Sequence, residues 1–462
     1  MRNSTNSNKK NICYYFLLFI VGVWFFFLLG ENGYILEKDS YVYLENNSWI
    51  RSYGYIIYPL IIQCCKLMFA EYYLEAIYLF QGLFALLSSV AVAEFVRKNY
   101  GLSRKLGLLV FVLSFGPYTY SLPQFVSIHG IMTEGISFPL FNFWMICALQ
   151  LLRSSRRRWY VLLFTITVMM TFTRPQLLLF FIVYIVIILD KYFQLCVLSR
   201  LSDSRLKLIT KTIVALLITL VGCFVFALFV KKAYFPQLTD AVSGRVLCTT
   251  NEEDEELYSG EMKQLFIILY DEVDKKQGRE KYFRHDVKRW EDICNAANEN
   301  TKLLGPLIVE NLDVFSCPPE EISSNKVKSE LIYPLLVKHW DRYLLMTVEL
   351  FVQSLVVSIF IHPDWAYIPG YCVALVLFVL SIFLMQRMKE KEYSLPMRTV
   401  VIVILLLCGL TNVIFIGLQR YVVYPFGWFY ISLVVMINRI VQKRRDTQTK
   451  PDVFCSTSKG EK

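Results

Sequence analysis

Runs of about 20 apolar residues recur along this chain, among them Asn11–Gly30, Tyr73–Val96 and Val400–Leu418, and each matches the length of helix that crosses a bilayer. Backbone in hydrocarbon must satisfy its own hydrogen bonds, so such runs admit helices and little else. With 55% hydrophobic and 16% aromatic residues in 462, the pattern predicts an all-α integral membrane protein. The net charge of +10 would suit a nucleic-acid partner if the basic residues formed one patch. They lie instead in short clusters between apolar runs, which is how a membrane protein is oriented, and no nucleic-acid partner is expected.

Residues 1–10 form a polar, basic tail, and the run Asn11–Gly30 lacks a small-x-small cleavage site, so an uncleaved first helix is predicted with a cytoplasmic N-terminus. A loop at 31–72 follows. It carries Glu31, Glu37, Asp39, Glu45 and Glu71 against Lys38, Arg51 and Lys66, and its apolar part, Tyr55–Phe69, suits the membrane interface. Spans are expected at Tyr73–Val96, Leu106–Tyr120 and Gly135–Leu152, with Arg97-Lys98, Arg104-Lys105 and Arg153–Arg158 on one side. Two limbs of a hairpin come next, Trp159–Thr173 and Pro175–Leu189. Each is about 22 Å of helix, short of the roughly 30 Å core, so the turn at Thr173-Arg174-Pro175 is expected inside the outer leaflet.

After the basic segment Asp190–Lys211, Thr212–Val230 crosses outward. The polar stretch from Lys231 to about Trp340 has no run long enough to span, and reads as a large extracytoplasmic loop domain. Its acidic run Glu252–Glu256 reads as a solubilising surface. Counting Tyr343–Ile361 as a full span would put Arg387–Arg398 and the Lys443-Arg444-Arg445 tail outside, so it is read as a helix in or dipping into the outer interface. Pro369–Met385, Val400–Leu418 and Tyr421–Ile437 complete a bundle of about ten transmembrane helices. The expected divisions are the tail 1–10, an N-terminal module 11–230 with the loop 31–72, an external part 231–367, C-terminal spans 368–438 and a cytoplasmic tail 439–462.

Most of the twelve cysteines sit singly in or beside apolar runs, where cysteine behaves as a small hydrophobe. Cys248, Cys294 and Cys317 fall in the external part, and one pair of them has the opportunity to form a disulfide. The four histidines are scattered and show no zinc-ligand spacing.

Carboxylates and arginines at the outer face therefore carry the chemistry: Asp39 after the first span, Glu134 before the fourth, Arg174 at the short hairpin, and Arg420-Tyr421 before the last. Asp39 also suits a helix cap, Glu134 an N-terminal carboxylate favoured by the helix dipole, and Arg420 an interfacial anchor. An arginine at membrane depth needs a partner or a watery cavity. A phosphate is the natural one for Arg174.

Asp39 with Tyr41 and Tyr43, Tyr58-Pro59, Met132-Thr133-Glu134, Thr173-Arg174-Pro175-Gln176 and Arg420-Tyr421 together resemble the multi-spanning GT-C glycosyltransferases, of the protein O-mannosyltransferase and aminoarabinose transferase type. The resemblance covers about residues 11–235 and 368–440. It implies a GT-C-like bundle and transfer of a sugar from a polyprenyl-phosphate carrier to a glycan, lipid or protein acceptor at the extracytoplasmic face, in a bacterial plasma membrane. It also implies Asp39 as catalytic base or as a carboxylate that orients the acceptor, with Arg174 and then Arg420 at the carrier phosphate, and Glu134, Tyr421 and Tyr58 lining the site. The first loop departs from a paired-acid pattern, reading Glu37-Lys38-Asp39. A single carboxylate favours a metal-free route, while Asp39 with Glu134 would offer oxygen ligands to Mg or Mn.

A surface-polysaccharide polymerase or ligase also combines many spans with a large external loop, but would place its decisive arginines and histidines in that loop. A transporter would show symmetric halves and a polar midplane path. Neither is evident in this sequence.

Overall fold

The structure, a computed structural model, describes residues 2–29, 33–36, 38–44, 56–119, 128–154, 156–197, 242–277, 289–315, 324–360, 368–414 and 422–448. The expected crossing Thr212–Val230 lies outside these residues, as do Arg420 and Tyr421. Among the described residues regular structure is helical, apart from one parallel bridge between Ile35 and Gly130. By length and composition, five stretches among the described residues suffice to cross a membrane: Ile57–Tyr100, Glu134–Arg153, Trp340–Phe360, Pro369–Arg387 and Lys391–Asn412. They fit a multi-pass membrane protein.

The first helix, α1 (Arg2–Leu29), begins inside the expected polar tail, because a helical ladder does not stop where the hydrocarbon does. A short helix α2 (Lys38–Leu44) follows, then α3 (Ile57–Phe69) and α4 (Tyr73–Tyr100). The apolar stretch of α3 and α4 is not one straight rod. Ala70 sits at φ 46°, ψ −112°, the conformation of the first central residue of a type II′ turn, and the chain reverses there. Tyr58 on the outgoing arm therefore meets Gln81 on the returning one.

The bundle continues with α5 (Arg104–Thr119), α6 (Glu134–Arg153), α7 (Arg157–Thr173) and α8 (Leu179–Val197), the last entered through a 3-10 turn at Pro175–Leu178. Three polar helices, α9 (Gly260–Gln277), α10 (Arg289–Glu310) and α11 (Ser324–Lys338), come next. The chain closes with α12 (Trp340–Phe360), α13 (Ile368–Arg387), α14 (Lys391–Ile414) and α15 (Phe426–Gln448).

One end of the bundle gathers the basic linkers. Arg153 pairs with Glu392 and donates to the Asn99 carbonyl, Arg398 pairs with Asp190 at 2.6 Å, and Glu390 accepts from Arg439 at 2.8 Å and Lys443 at 2.9 Å. Such partly exposed pairs add modest stability singly; their value here is to mark one face. Lys191 caps α6 from below, its Nζ donating to the Leu152 carbonyl at 2.8 Å.

The three polar helices pack around an apolar cluster of their own, with Leu265, Leu269, Leu304, Ile308, Leu331 and Leu335 buried in it. Arg245, fully buried, donates to the Asn412 carbonyl and stacks 4.9 Å from the Tyr343 ring, which ties this layer to α12 and α14. Cys248 is a buried free thiol, so it has no disulfide; Cys294 and Cys317 lie outside what is described of side chains.

Candidate functional site

At the end of the bundle away from the basic linkers, the first loop is held by backbone hydrogen bonds. Ile35 N–H donates to the His129 carbonyl at 2.9 Å, and Ile131 N–H donates to the Ile35 carbonyl at 3.0 Å. Helix α2 starts three residues later. Asp39 lies on it one turn before Tyr43; the Asp39 side chain is outside what the structure describes. Tyr43 packs edge-on against Tyr58, with centroids 5.3 Å apart, and Lys66 Nζ caps α2 through the Leu44 carbonyl at 3.0 Å.

Tyr58 carries this link inward. Its hydroxyl donates to Gln81 Oε1 at 2.8 Å, and Gln81 Nε2 donates to the carbonyls of Ile128 at 2.9 Å and Gly130 at 2.8 Å. One buried carboxamide thus fixes the turn that also receives Ile35. Gly135 is required beside it, because a Cβ there would collide with the Gln81 carboxamide. Phe26 stacks on His129 at 4.9 Å, and Tyr78 packs against both rings, 5.3 Å from His129 and 4.7 Å from Phe26. Burial pushes the His129 imidazole down to about 4, so it is neutral at physiological pH.

The turn delivers Glu134 to the first position of α6, where the helix dipole favours a carboxylate. From the opposite side comes Arg174. Its extended backbone, φ −150° and ψ 118°, follows from Pro175, since the residue before a proline is driven out of the helical region. Helix α7 therefore stops at Thr173, and Arg174 Nη1 donates to Glu134 Oε1 in an ion pair whose side chains are 3% and 1% exposed. Thr133 Oγ1 donates to the second oxygen, Oε2, at 3.0 Å. Tyr424 completes the group: its hydroxyl hydrogen-bonds Ser137 Oγ at 2.9 Å and lies within the fields of both Arg174 and Glu134.

No family model matches this chain, and neither a curated protein nor a solved structure does.

The structure brings Glu134, Arg174 and Tyr58 into one connected group and places the helix of Asp39 directly against it. The sequence reading gave Arg174 a phosphate as partner; in the structure a carboxylate from the neighbouring helix meets it. Tyr58 has its hydroxyl committed to Gln81, so it shapes the site through that residue. Glu134 faces a guanidinium and a hydroxyl donor; no group of three or more metal-ligating side chains occurs among the described residues, and the pairing of Glu134 with Asp39 falls on a side chain outside them.

Gln81 and Tyr424 escaped the sequence reading. Gln81 had a signal: it is the lone amide in the apolar run Tyr73–Val96, and a polar group at such a position is costly unless satisfied. Tyr424 had none, being one more tyrosine just past Arg420-Tyr421.

A second charged cluster lies in the polar layer. Asp254, fully buried, accepts from Lys338 Nζ at 2.7 Å, His339 Nε2 at 2.8 Å and the Asn251 N–H at 2.7 Å. The acidic run Glu252–Glu256 is thus not all solvated surface, because its middle residue closes a capping box and locks the α11–α12 junction. Burial opposes ionisation of Asp254, but the hydrogen bonds from Lys338, Asn251 and His339 outweigh it and hold the carboxyl below its usual value.

Proposed function

We propose that this protein is a GT-C-like membrane glycosyltransferase that moves a sugar from a polyprenyl-phosphate carrier to a glycan, lipid or protein acceptor at the outer face of the bacterial plasma membrane. The observation that carries the reading is the buried Arg174–Glu134 pair, set beneath the loop of Asp39 at the bundle end opposite the basic linkers. By the positive-inside rule the basic end is cytoplasmic and the pair faces outward.

The α3–α4 hairpin supports a site below the membrane boundary. Gln81 is level with Glu134, and Tyr72 lies about 14 Å farther out along α4 at 1.5 Å per residue. Leu67, Met68 and Tyr72 at this tip are 75%, 68% and 70% exposed. Glu71 at the same tip is exposed as well, a mixture that suits the membrane interface, and in this reading the ion pair lies below that level, where a lipid-borne phosphate arrives. A phosphate so delivered meets an arginine already desolvated and aimed.

In this mechanism Asp39 takes the proton of the acceptor hydroxyl as its oxygen bonds to the anomeric carbon. The bond from that carbon to the carrier phosphate breaks, and its electron pair leaves with the polyprenyl phosphate. Arg174, whose fork of five N–H donors can serve a carboxylate and a phosphate together, meets the charge developing there. Glu134 and Thr133 hold the guanidinium in place, Arg420 and Tyr421 stand in reserve before the last helix, and no step passes through a metal.

About ten spans, with α12 confined to the outer half, complete this topology. The hydrogen bonds of α12, Asn412 to Ser354 and Tyr430 to the Ile359 carbonyl, are to helix portions far from the basic end. Purified protein supplied with a panel of polyprenyl-phosphate sugars and acceptors should release polyprenyl phosphate; folded protein that releases none from any donor defeats the proposal. Cysteine labels near Glu253 should react in intact cells and those near Lys443 should not.

A further inference from the structure

Helices α11 and α12 are divided only by a turn at His339, and the helical ladder runs through it: His339 N–H donates to the Leu335 carbonyl and Tyr343 N–H to the His339 carbonyl, both at 2.9 Å. Side chains on the two helices therefore keep one angular register. At about 100° per residue, the exposed residues from Lys326 to Val352, apart from Ser329, Lys338, Arg342 and Leu345, fall on a single face about 120° wide. Its chemistry changes steadily along the axis.

The face opens with Lys326 and Glu330, both exposed. It continues through Tyr333, Val337 and Trp340, exposed by 69%, 56% and 62%. Leu344, Val348 and Val352 follow, again exposed. Lys338, Asp341 and Arg342 surround Trp340, and from Tyr343 to Phe360 the only charged residue is Glu349. Charge, then aromatic rings with polar edges, then bare aliphatics is the order met on passing from water through headgroups into hydrocarbon. The far end joins the half of the bundle that carries Glu134, through Asn412 and Tyr430.

We infer that the α11–α12 helix descends obliquely into the outer leaflet, that its occupant on this face is the lipid bilayer, and that the water–membrane boundary crosses it at Tyr333–Trp340. This face anchors the polar helical layer to the membrane surface. The Asp254–Lys338–His339 cluster lies at the same height and holds the layer to the helix where the anchor enters lipid. The inference does not depend on any sugar-transfer activity. It differs from a helix lying flat in the interface, for which the whole face would sit at one depth.

Single cysteines at 330, 337, 344 and 352, in a background whose other reactive cysteines are serine, would carry nitroxide labels in full-length protein reconstituted in lipid nanodiscs. These positions are exposed, so labelling leaves the packing intact; monodisperse elution of each labelled protein verifies it. Collision with a water-soluble nickel chelate should dominate at 330, and collision with oxygen at 344 and 352, with the change of sign near 337. The ratio should rise by about tenfold or more between 330 and 352. Equal ratios at all four sites, meaning a flat helix, would overturn the inference. So would nickel dominance at 344 and 352, or low access to both reagents with spin–spin broadening, which would mean that a second copy covers the face.

Discussion

Arg174 reaches across 40 positions of sequence to Glu134, and the two charges neutralise each other in a place that solvent barely touches. Removing one partner of such a pair leaves the other buried and uncompensated, while removing both is far milder. Arg174→Ala and Glu134→Ala should each lower stability by about 3–5 kcal/mol, with Glu134→Leu/Arg174→Met milder than either. Thermal unfolding in detergent measures this. Arg174→Lys should recover part of the loss, since it restores the charge without the fork.

Asp39→Asn should leave the fold intact and lower turnover by about 10²- to 10⁴-fold, the range for a lost general base, with carrier binding retained. Arg174→Ala should weaken carrier binding as well as turnover. Near wild-type transfer by well-folded Asp39→Asn protein would move the role of base to another carboxylate.

Gln81→Leu would strip partners from the Tyr58 hydroxyl and the carbonyls of Ile128 and Gly130 at once. The expected cost is about 3 kcal/mol. Gly135→Ala should act in the same direction by displacing the same carboxamide. The diagnostic readout is hydrogen exchange of the Ile131 amide, which bonds to Ile35 and should lose protection in both variants.

Asp254 makes part of the stability pH-dependent. Its carboxyl is depressed in the folded protein below the unfolded value of about 3.9. The stabilisation is therefore fully present above that value and disappears as pH falls through the lower folded-state value. Asp254→Asn should remove about 3 kcal/mol at neutral pH and flatten the acid limb of a melting-temperature profile. Neutralising Glu252, Glu253, Glu255 and Glu256 instead should change stability by less than about 0.5 kcal/mol.

Much of the architecture was legible in the residues. The positions of α5, α6 and α7 follow the predicted spans within a few residues, and α3 appears as the separate apolar arm before Tyr73. Pro175 makes the end of α7 readable without any tertiary information, and Arg174 stood out because charge at membrane depth demands a partner. Which partner was not readable: Glu134 looked like an ordinary helix-start carboxylate, and Asp254 like one member of an acidic run.

Hydropathy, charge asymmetry and proline effects act over a few residues, so the sequence by itself determined that this chain is helical, membrane-embedded and basic on one side. The joining of Glu134 to Arg174, of Tyr58 through Gln81 to Gly130, and of Asp254 to His339 was decided only by the tertiary structure. The physical reason is that a membrane helix is apolar on nearly every side, because lipid and protein interior solvate it alike. Its sequence reveals that it spans but not which face meets a neighbour, and that choice rests on packing at residues such as Gly135, where two helices can approach closely enough for their polar groups to meet.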